Sequence, residues 1–540
     1  MNVDFARSTL LVGVLLVACD GREAVPAADA TVSWTDAGSL PDASLPRTAR
    51  IFAFNDFHGA IAQDDTRAGA GALAATIEML RAGGANSIIV SAGDLIGGSP
   101  LESGYWHDEP TIEAMSALGL SLNAIGNHEL DDGPDELLRL LEGGRCHFEG
   151  CGPRGAPVAA AFESLAANTF TDASGETLLP PYAIRELGGV RVAFVGLTLE
   201  STAEIALGAA TLRFGDEADT VNALVPELRG LGVTSIVVLM HEGGEQSGGI
   251  SACDGIAGAV VDIVRRMDAE IDVVVTGHTH QSYVCEIDGH LVTSAGSNGN
   301  LVTSIDLSFD VDGDIGSAIA TNIRVARDAT PTPTVAAIVA EWVDATRELG
   351  ARVVGTVTAG MARGTPELCA FNADAMLEGA RVADPTADFA LTNIGGIRGA
   401  VAFPASPTGG GAGEVTFGEL YAVHPFGNQI VVVSLTGREV LAVLDESAGT
   451  SGLCPSRALT FRWTGTRTVA GSVRVDGVAI DLDATYRVAT SDYLFGGGEG
   501  YAGFALGRER LPGMLLIEAL ERLLATSSPY TPDTTPRITP

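Results

Sequence analysis

The stretch Ile51-Phe52-Ala53-Phe54-Asn55-Asp56-Phe57-His58-Gly59 joins a short apolar run to an abrupt cluster of asparagine, aspartate and histidine. A run of this length, closed by a turn glycine, predicts a buried β-strand. The arrangement recurs along the first half of the chain. Ser87–Val90 leads into Gly93-Asp94, and Leu122–Ile125 into Gly126-Asn127-His128-Glu129. Ser235–Met240 ends at His241, and Asp272–Val275 leads into Gly277-His278-Thr279-His280. Val190–Val195 reads as a further strand. Helical patterns lie between them, over Gly71–Arg81, Thr111–Leu118, Pro134–Leu141 and Ile256–Met267. Strands alternating with helices imply an α/β layered fold. In such sheets the carboxyl ends of the strands form the crevice that binds ligands. Five strand ends thus deliver Asp56, His58, Asp94, Asn127, His128, His241, His278 and His280 to one rim.

Any one of these residues has a structural reading, such as a helix cap, a core histidine or a turn. The set does not. Five of the nine histidines in the chain sit in these motifs. Histidine and carboxylate ligate divalent transition metals, and asparagine can add a carbonyl oxygen. Asp56-x-His58 lets one tight loop reach one ion. A carboxylate such as Asp94 can bridge two ions at about 3.5–4 Å, the separation of two-metal hydrolases. Such a pair lowers the pKa of a bound water and steadies a phosphoryl group during in-line displacement.

The 540 residues are enough for two domains with tails. A net charge of −36 disfavours a nucleic-acid polymer as partner. All 32 cationic residues are arginine, which excludes lysine Schiff-base and P-loop lysine chemistry. The apolar run Leu10–Ala18 has the length of a secretory h-region and ends in Leu16-Val17-Ala18-Cys19, similar to a lipobox whose cysteine is lipidated. Residues 1–19 are therefore expected to be a lipoprotein signal, and 20–47, rich in Ala, Asp, Ser and Pro, a disordered tether. Six cysteines remain for an oxidising compartment. Six cysteines allow 15 pairings; the expected one is Cys146–Cys151, Cys253–Cys285 and Cys369–Cys454, in which each pair stays within one proposed domain. Asp328-Ala329-Thr330-Pro331-Thr332-Pro333-Thr334 marks a linker, and Val335–Leu349 a helix that bridges two domains and is the expected hinge. A second α/β region follows, with strands over Phe389–Leu391, Gln429–Leu435 and Tyr486–Thr490. The expected domains are 48–328 and 351–526, with 329–350 between them and a flexible tail at 527–540.

The series D-x-H, GD, GNHE, H and GH-x-H resembles the signature of calcineurin-like metallophosphoesterases. With a second domain behind it, the chain resembles the bacterial periplasmic 5′-nucleotidase/UDP-sugar hydrolase family over roughly residues 48–520. The resemblance implies an N-terminal four-layer β-sandwich flanked by helices and a C-terminal α/β substrate-binding domain. It implies that Asp56, His58 and His280 hold one metal, that Asn127, His241 and His278 hold the other, and that Asp94 bridges. The two divalent ions would be manganese, zinc or iron. It also implies a catalytic dyad of His128 and Asp131, in which a protonated His128 stabilises charge on the transferring phosphoryl group.

Asn393-Ile394-Gly395-Gly396-Ile397-Arg398 resembles the family's substrate loop, with Arg398 a fork for phosphate. Phe426, in Pro425-Phe426-Gly427-Asn428, and Tyr493 would be the two walls of a nucleobase clamp. Glu499 stands where the family has an aspartate for ribose hydroxyls, and the stretch after Arg363 is shortened. These departures bear on substrate choice. The expected activity is a phosphoric monoester hydrolase acting on nucleoside 5′-monophosphates. The alternatives are a 2′,3′-cyclic-nucleotide phosphodiesterase/3′-nucleotidase, a UDP-sugar hydrolase, or a non-catalytic nucleotide-binding lipoprotein. The expected location is a lipid-anchored state in the periplasm or at the cell surface.

Overall fold

Why the strand runs are apolar on both faces is answered by the layering. The computed structural model describes residues 47–82, 86–403, 409–448 and 450–540. The signal, Cys19 and residues 20–46 lie outside the described residues, while Arg47, assigned to the tether, opens a strand.

Two six-stranded sheets come from the first part of the chain. In one, Arg47–Phe54, Ser87–Ser91, Leu122–Ala124 and Glu163–Leu165 run parallel. In the other, Val190–Thr198, Ser235–His241, Ile271–Thr276 and His290–Ala295 run parallel. Antiparallel strands close one edge of the first sheet and both edges of the second. Ile51, Ala53 and Val90 pack against Val237, Leu239 and Val273 between the sheets. The alternate residues Phe52 and Phe54 meet helices Gly69–Arg81 and Glu109–Leu118, and Ile236 and Val238 meet helix Glu217–Gly230. Burial of both faces is what demands continuous apolar strands. The result is a helix–sheet–sheet–helix stack.

The helix expected over Ile256–Met267 is shorter, Ala259–Val264. Its start is set by Gly258 at φ 109° and by the bridge of Ala257 to Glu245. The linker helix, Pro333–Gly350, is anchored on the first lobe and also touches the helix Phe417–Val423 of the second. Val335, Ile338 and Trp342 are buried in the same cluster as Phe52 and Ile112. Trp342 Nε1 donates to Glu113 Oε2 at 2.9 Å. The helix is thereby fixed to the first lobe.

The second lobe is a five-stranded mixed sheet, ordered Leu453–Pro455, Phe389–Asn393, Thr485–Ser491, Gln429–Thr436, Arg508–Leu515. Helices Pro366–Ala383 and Leu516–Ser527 cover its core. The end of Phe389–Asn393, the end of Thr485–Ser491 and the start of Gln429–Thr436 lie together, because the first two run parallel and the third antiparallel. That shared end carries the loops bearing Arg398, Tyr493 and Phe426.

The tail expected to fray is docked instead. Tyr530 is buried against Phe371, and Ile538–Thr539 pairs with the strand Leu459–Arg462. Arg537 is buried and donates to both oxygens of Asp374, at 2.9 and 2.8 Å. All three expected disulfides are formed. No helix among the described residues is long and apolar enough to cross a membrane.

Candidate metal centre

Three of the strand ends turn sharply before presenting their side chains, while His241 is itself the last residue of its strand. Asp56, His58, Asp94, His278 and His280 all have positive φ, from 48° to 69°. Non-glycine residues hold such backbone at a cost of about 1–3 kcal/mol each, and the strain collects at ligand clamps. Glycine handles the closest approaches. A Cβ on Gly126 would collide with Asp94 Oδ1 and His241 Nε2.

The turns create two adjoining clusters. Asp56, His58 and His280 make the first. His58 Nε2 faces His280 Nε2 at 2.9 Å, and Asp56 Oδ1 lies 3.3 Å from His280 Nε2. Asp94, His241 and His278 make the second, with Asn127 Oδ1 at 3.1 Å from His278 Nδ1. Asp94 Oδ2 stands between them, 3.0 Å from His241 Nε2 and 3.8 Å from His58 Nε2.

Outer hydrogen bonds orient these groups. His58 Nδ1 donates to the Gly97 carbonyl at 2.9 Å, and His241 Nδ1 to the Ala92 carbonyl at 2.7 Å. Each leaves Nε2 for ligation. Asn55 donates to Asp56 Oδ2 at 2.5 Å. Burial pushes His58 down to about 3 and His278 down to about 4, so both are neutral. Burial opposes ionisation of Asp94, but His241 and then His128 outweigh it and hold the carboxyl well below its usual range. His241 Nε2 is buried without a hydrogen-bond partner, although Asp94 Oδ2 is 3.0 Å away. Two atoms this close without hydrogen-bond geometry stand as co-ligands of one ion do. The donor set of imidazoles, carboxylates and one amide oxygen fits divalent transition metals.

His128 lies beside this centre. Its Nδ1 is 2.6 Å from Asp131 Oδ2. Burial works against the imidazolium, but Asp131 and then Asp94 prevail and raise the group to about 9. The second lobe closes over it. The Phe426 ring stacks on His128 with centroids 6.0 Å apart and planes 11° apart. The Arg398 guanidinium lies 5.1 Å over Phe426, and its Nε is buried with no hydrogen-bond partner. Arg363, which donates to the Ile397 carbonyl at 3.0 Å, stands close enough to add to the burial that depresses Arg398. Tyr493 is seated on Gly498. Glu499 accepts from Asn393 Nδ2 at 2.7 Å and from Ser451 Oγ at 2.6 Å, which ties its loop to the Asn393–Arg398 loop.

All nine first-lobe candidates therefore converge, and Phe426 and Arg398 approach from the second lobe, whereas Asn393 is held by Glu499. Sequence reasoning passed over Glu129. Its carboxylate accepts from the amides of Asp94 and Leu95, both at 2.9 Å, and of Gly126 at 2.7 Å. It clamps two ligand loops together, and burial, reinforced by Asp94, pushes its pKa up to about 7. The signal was its place in Gly126-Asn127-His128-Glu129, beside residues with more obvious chemistry.

Comparison with known proteins places this geometry. Residues 49–282 match the calcineurin-like phosphoesterase family, and residues 350–506 match the 5′-nucleotidase C-terminal domain. "Endonuclease YhcR" of Bacillus subtilis is 32% identical over 82% of this chain. "Cell wall protein Lmo0130" of Listeria monocytogenes is 30% identical over 84% of it. The chain spans 37% of the first relative and 64% of the second. The crystal structure of a 5′-nucleotidase precursor from Thermus thermophilus is 25% identical, with a TM-score of 0.74 over 91% of this chain and 99% of that one.

Proposed function

Because the chain belongs to the family that joins a calcineurin-like phosphoesterase domain to a 5′-nucleotidase C-terminal domain, we propose that it releases phosphate from nucleoside 5′-monophosphates. The observation that carries this reading is Arg398, held over Phe426 with an unpartnered buried Nε, beside His128. A buried cation without a partner suits an anionic substrate. Asp56, His58 and His280 would hold one divalent ion, Asn127, His241 and His278 another, with Asp94 shared. The ions supply Lewis acidity and activate water at neutral pH. His128, kept protonated by Asp131, donates to the phosphoryl oxygens as charge builds on them. Arg398 neutralises phosphate and fixes its direction. Phe426 and Tyr493 offer aromatic faces to the base. Asn393 and Glu499 border the ribose.

Replacing His128 by Ala should lower kcat by about 10²–10³-fold and leave bound metal unchanged, because His128 is charged and outside both ligand sets. Asp131→Asn should fall between that variant and wild type. Metal analysis beside the phosphate assay checks both, and loss of metal from His128→Ala would reassign the residue to the ligand shell.

The substrate is tested with chelator-stripped full chain, assayed with and without Mn²⁺ on AMP, 3′-AMP, 2′,3′-cyclic AMP, a UDP-sugar and glycerol phosphate. Metal-restored turnover of AMP above the rest is expected. A preference for the cyclic nucleotide or UDP-sugar would move the substrate and keep the chemistry. The bonds from Glu499 to Asn393 and Ser451 favour that second reading, since they engage the carboxylate expected at ribose. No turnover with metal bound would return the binding-protein reading. The net charge of −36 weighs against a polymeric substrate. We also propose export with lipidation at Cys19, which three disulfides and a cell-wall relative support.

A further inference from the structure

Four histidines lie outside the metal motifs: His107, His147, His290 and His424. His290 is buried and donates Nδ1–H to the Ile271 carbonyl at 2.6 Å. His424 is buried against Phe426. His107 and His147 have no such role. Their rings stack face to face with centroids 3.5 Å apart, and His107 Nε2 is 3.5 Å from Glu149 Oε2. One ligand atom from each of His107, His147 and Glu149 falls within 4.8 Å of the other two.

The scaffold under this cluster is rigid. Cys146–Cys151 closes a small ring around His147-Phe148-Glu149-Gly150. Inside it Gly150 N–H donates to the His147 carbonyl at 3.0 Å. His147-x-Glu149 puts two ligand types on one tight turn, by the same spacing logic as Asp56-x-His58. The facing residue, His107, has φ 53°, the left-handed backbone also found at Asp56, His58, Asp94, His278 and His280. Buried Arg139 ties the two sides together. Its Nη1 donates to Glu109 Oε1 at 2.7 Å, just after His107, and to the Arg145 carbonyl at 3.0 Å, at the base of the disulfide ring. Among the described residues, the only hydrogen bond to either ring is a long one, 3.3 Å, from Glu149 N–H to His147 Nδ1. Burial lowers both imidazoles, His107 being lowered further by His147, so both are neutral at pH 7. Neutral imidazole is the ligating form.

We propose that His107, His147 and Glu149 form a third divalent transition-metal site, separate from the dinuclear centre. Two imidazoles and a carboxylate are a borderline-soft set of the zinc type with a coordination position left open. They disfavour Mg²⁺ and Ca²⁺, which take all-oxygen shells. The site lies at the rim of a cleft of about 760 Å³ that also contains His128, Asp131 and Phe426. An ion there pins the disulfide ring, and with it the exposed Phe148, to the wall of that cleft.

The test uses untagged full chain stripped with chelator and dialysed against Zn²⁺ or Co²⁺, followed by metal counting. Wild type should bind one ion per chain more than His107→Ala/His147→Ala. Glu149→Gln, which leaves the fold untouched at an exposed position, should weaken that one ion by more than the about 10–100-fold typical of losing an outer-shell partner. In wild type, Zn²⁺ should protect His107 and His147 from histidine acylation read by mass spectrometry. Equal ion counts in wild type and the double variant, or equal acylation of both histidines with and without metal, would each overturn the proposal. Because the readouts are metal count and protection, they stand apart from any failure of the nucleotidase reading.

Discussion

Asp94→Ala should lower metal-dependent phosphate release by at least about 10³-fold and cut the ions at the dinuclear centre to one or none. The size follows from position. Asp94 Oδ2 lies between the clusters, 3.0 Å from His241 Nε2 and 3.8 Å from His58 Nε2, while Asp94 Oδ1 accepts from the His128 amide at 3.0 Å. Removing it takes a ligand from both ions and loosens the turn that carries His128. The fold should persist. His241 keeps its Nδ1 hydrogen bond to the Ala92 carbonyl, so the variant leaves a neutral buried imidazole rather than an unpaired charge. Far-ultraviolet circular dichroism and metal analysis, run with the phosphate assay, check this. Activity within tenfold of wild type, with the variant folded, would refute the assignment of Asp94 as the shared ligand.

Arg537→Ala should destabilise the second lobe by about 3–5 kcal/mol, the usual consequence of leaving one partner of a buried ion pair alone. Arg537 and Asp374 are both nearly inaccessible, with side chains 6% exposed. Asp374 also accepts from the Arg457 amide at 2.7 Å, and Arg537 from its other side binds the Pro455 carbonyl at 3.0 Å. The substitution therefore strands a buried carboxylate and releases the strand Ile538–Thr539. Asp374→Ala/Arg537→Ala should be less destabilised than either single variant, because no charge is then left unpaired. Urea unfolding gives the comparison. A single variant as stable as wild type would mean that the tail contributes nothing to this lobe.

That tail shows where sequence reading stops. Ser527–Pro540 is rich in Thr, Pro and Ser, and its composition predicts fraying. What anchors it is one arginine meeting Asp374, a partner 163 positions away. Composition cannot express a contact at that distance. The bridging helix makes the same point. Its apolar face was legible, but that Trp342 and Ile338 pack on the first lobe while the helix also touches Phe417–Val423 of the second is decided only by where Phe52, Ile112 and that second-lobe helix stand.

The strand ends were legible because a buried parallel strand needs apolar residues on both faces and cannot extend them past the sheet. The switch to Asp, His and Asn in Asn55–His58 or Gly277–His280 therefore marks both the end of the strand and the ligand set. Each disulfide links cysteines within one lobe, which the sequence could anticipate, but the choice among the pairings left inside the first lobe belongs to the fold. The sequence by itself determined the layered fold, the inventory of candidate ligands and the family. Tertiary structure alone decided that Glu129 clamps the loops of Asp94 and Gly126, that Glu499 is bound to Asn393 and Ser451, and that Arg398 and Phe426 reach His128. These are non-local contacts of polar groups. They are set by where two sheets place their loop ends, whereas periodicity and motif spacing record only what lies within one strand, one turn or one helix.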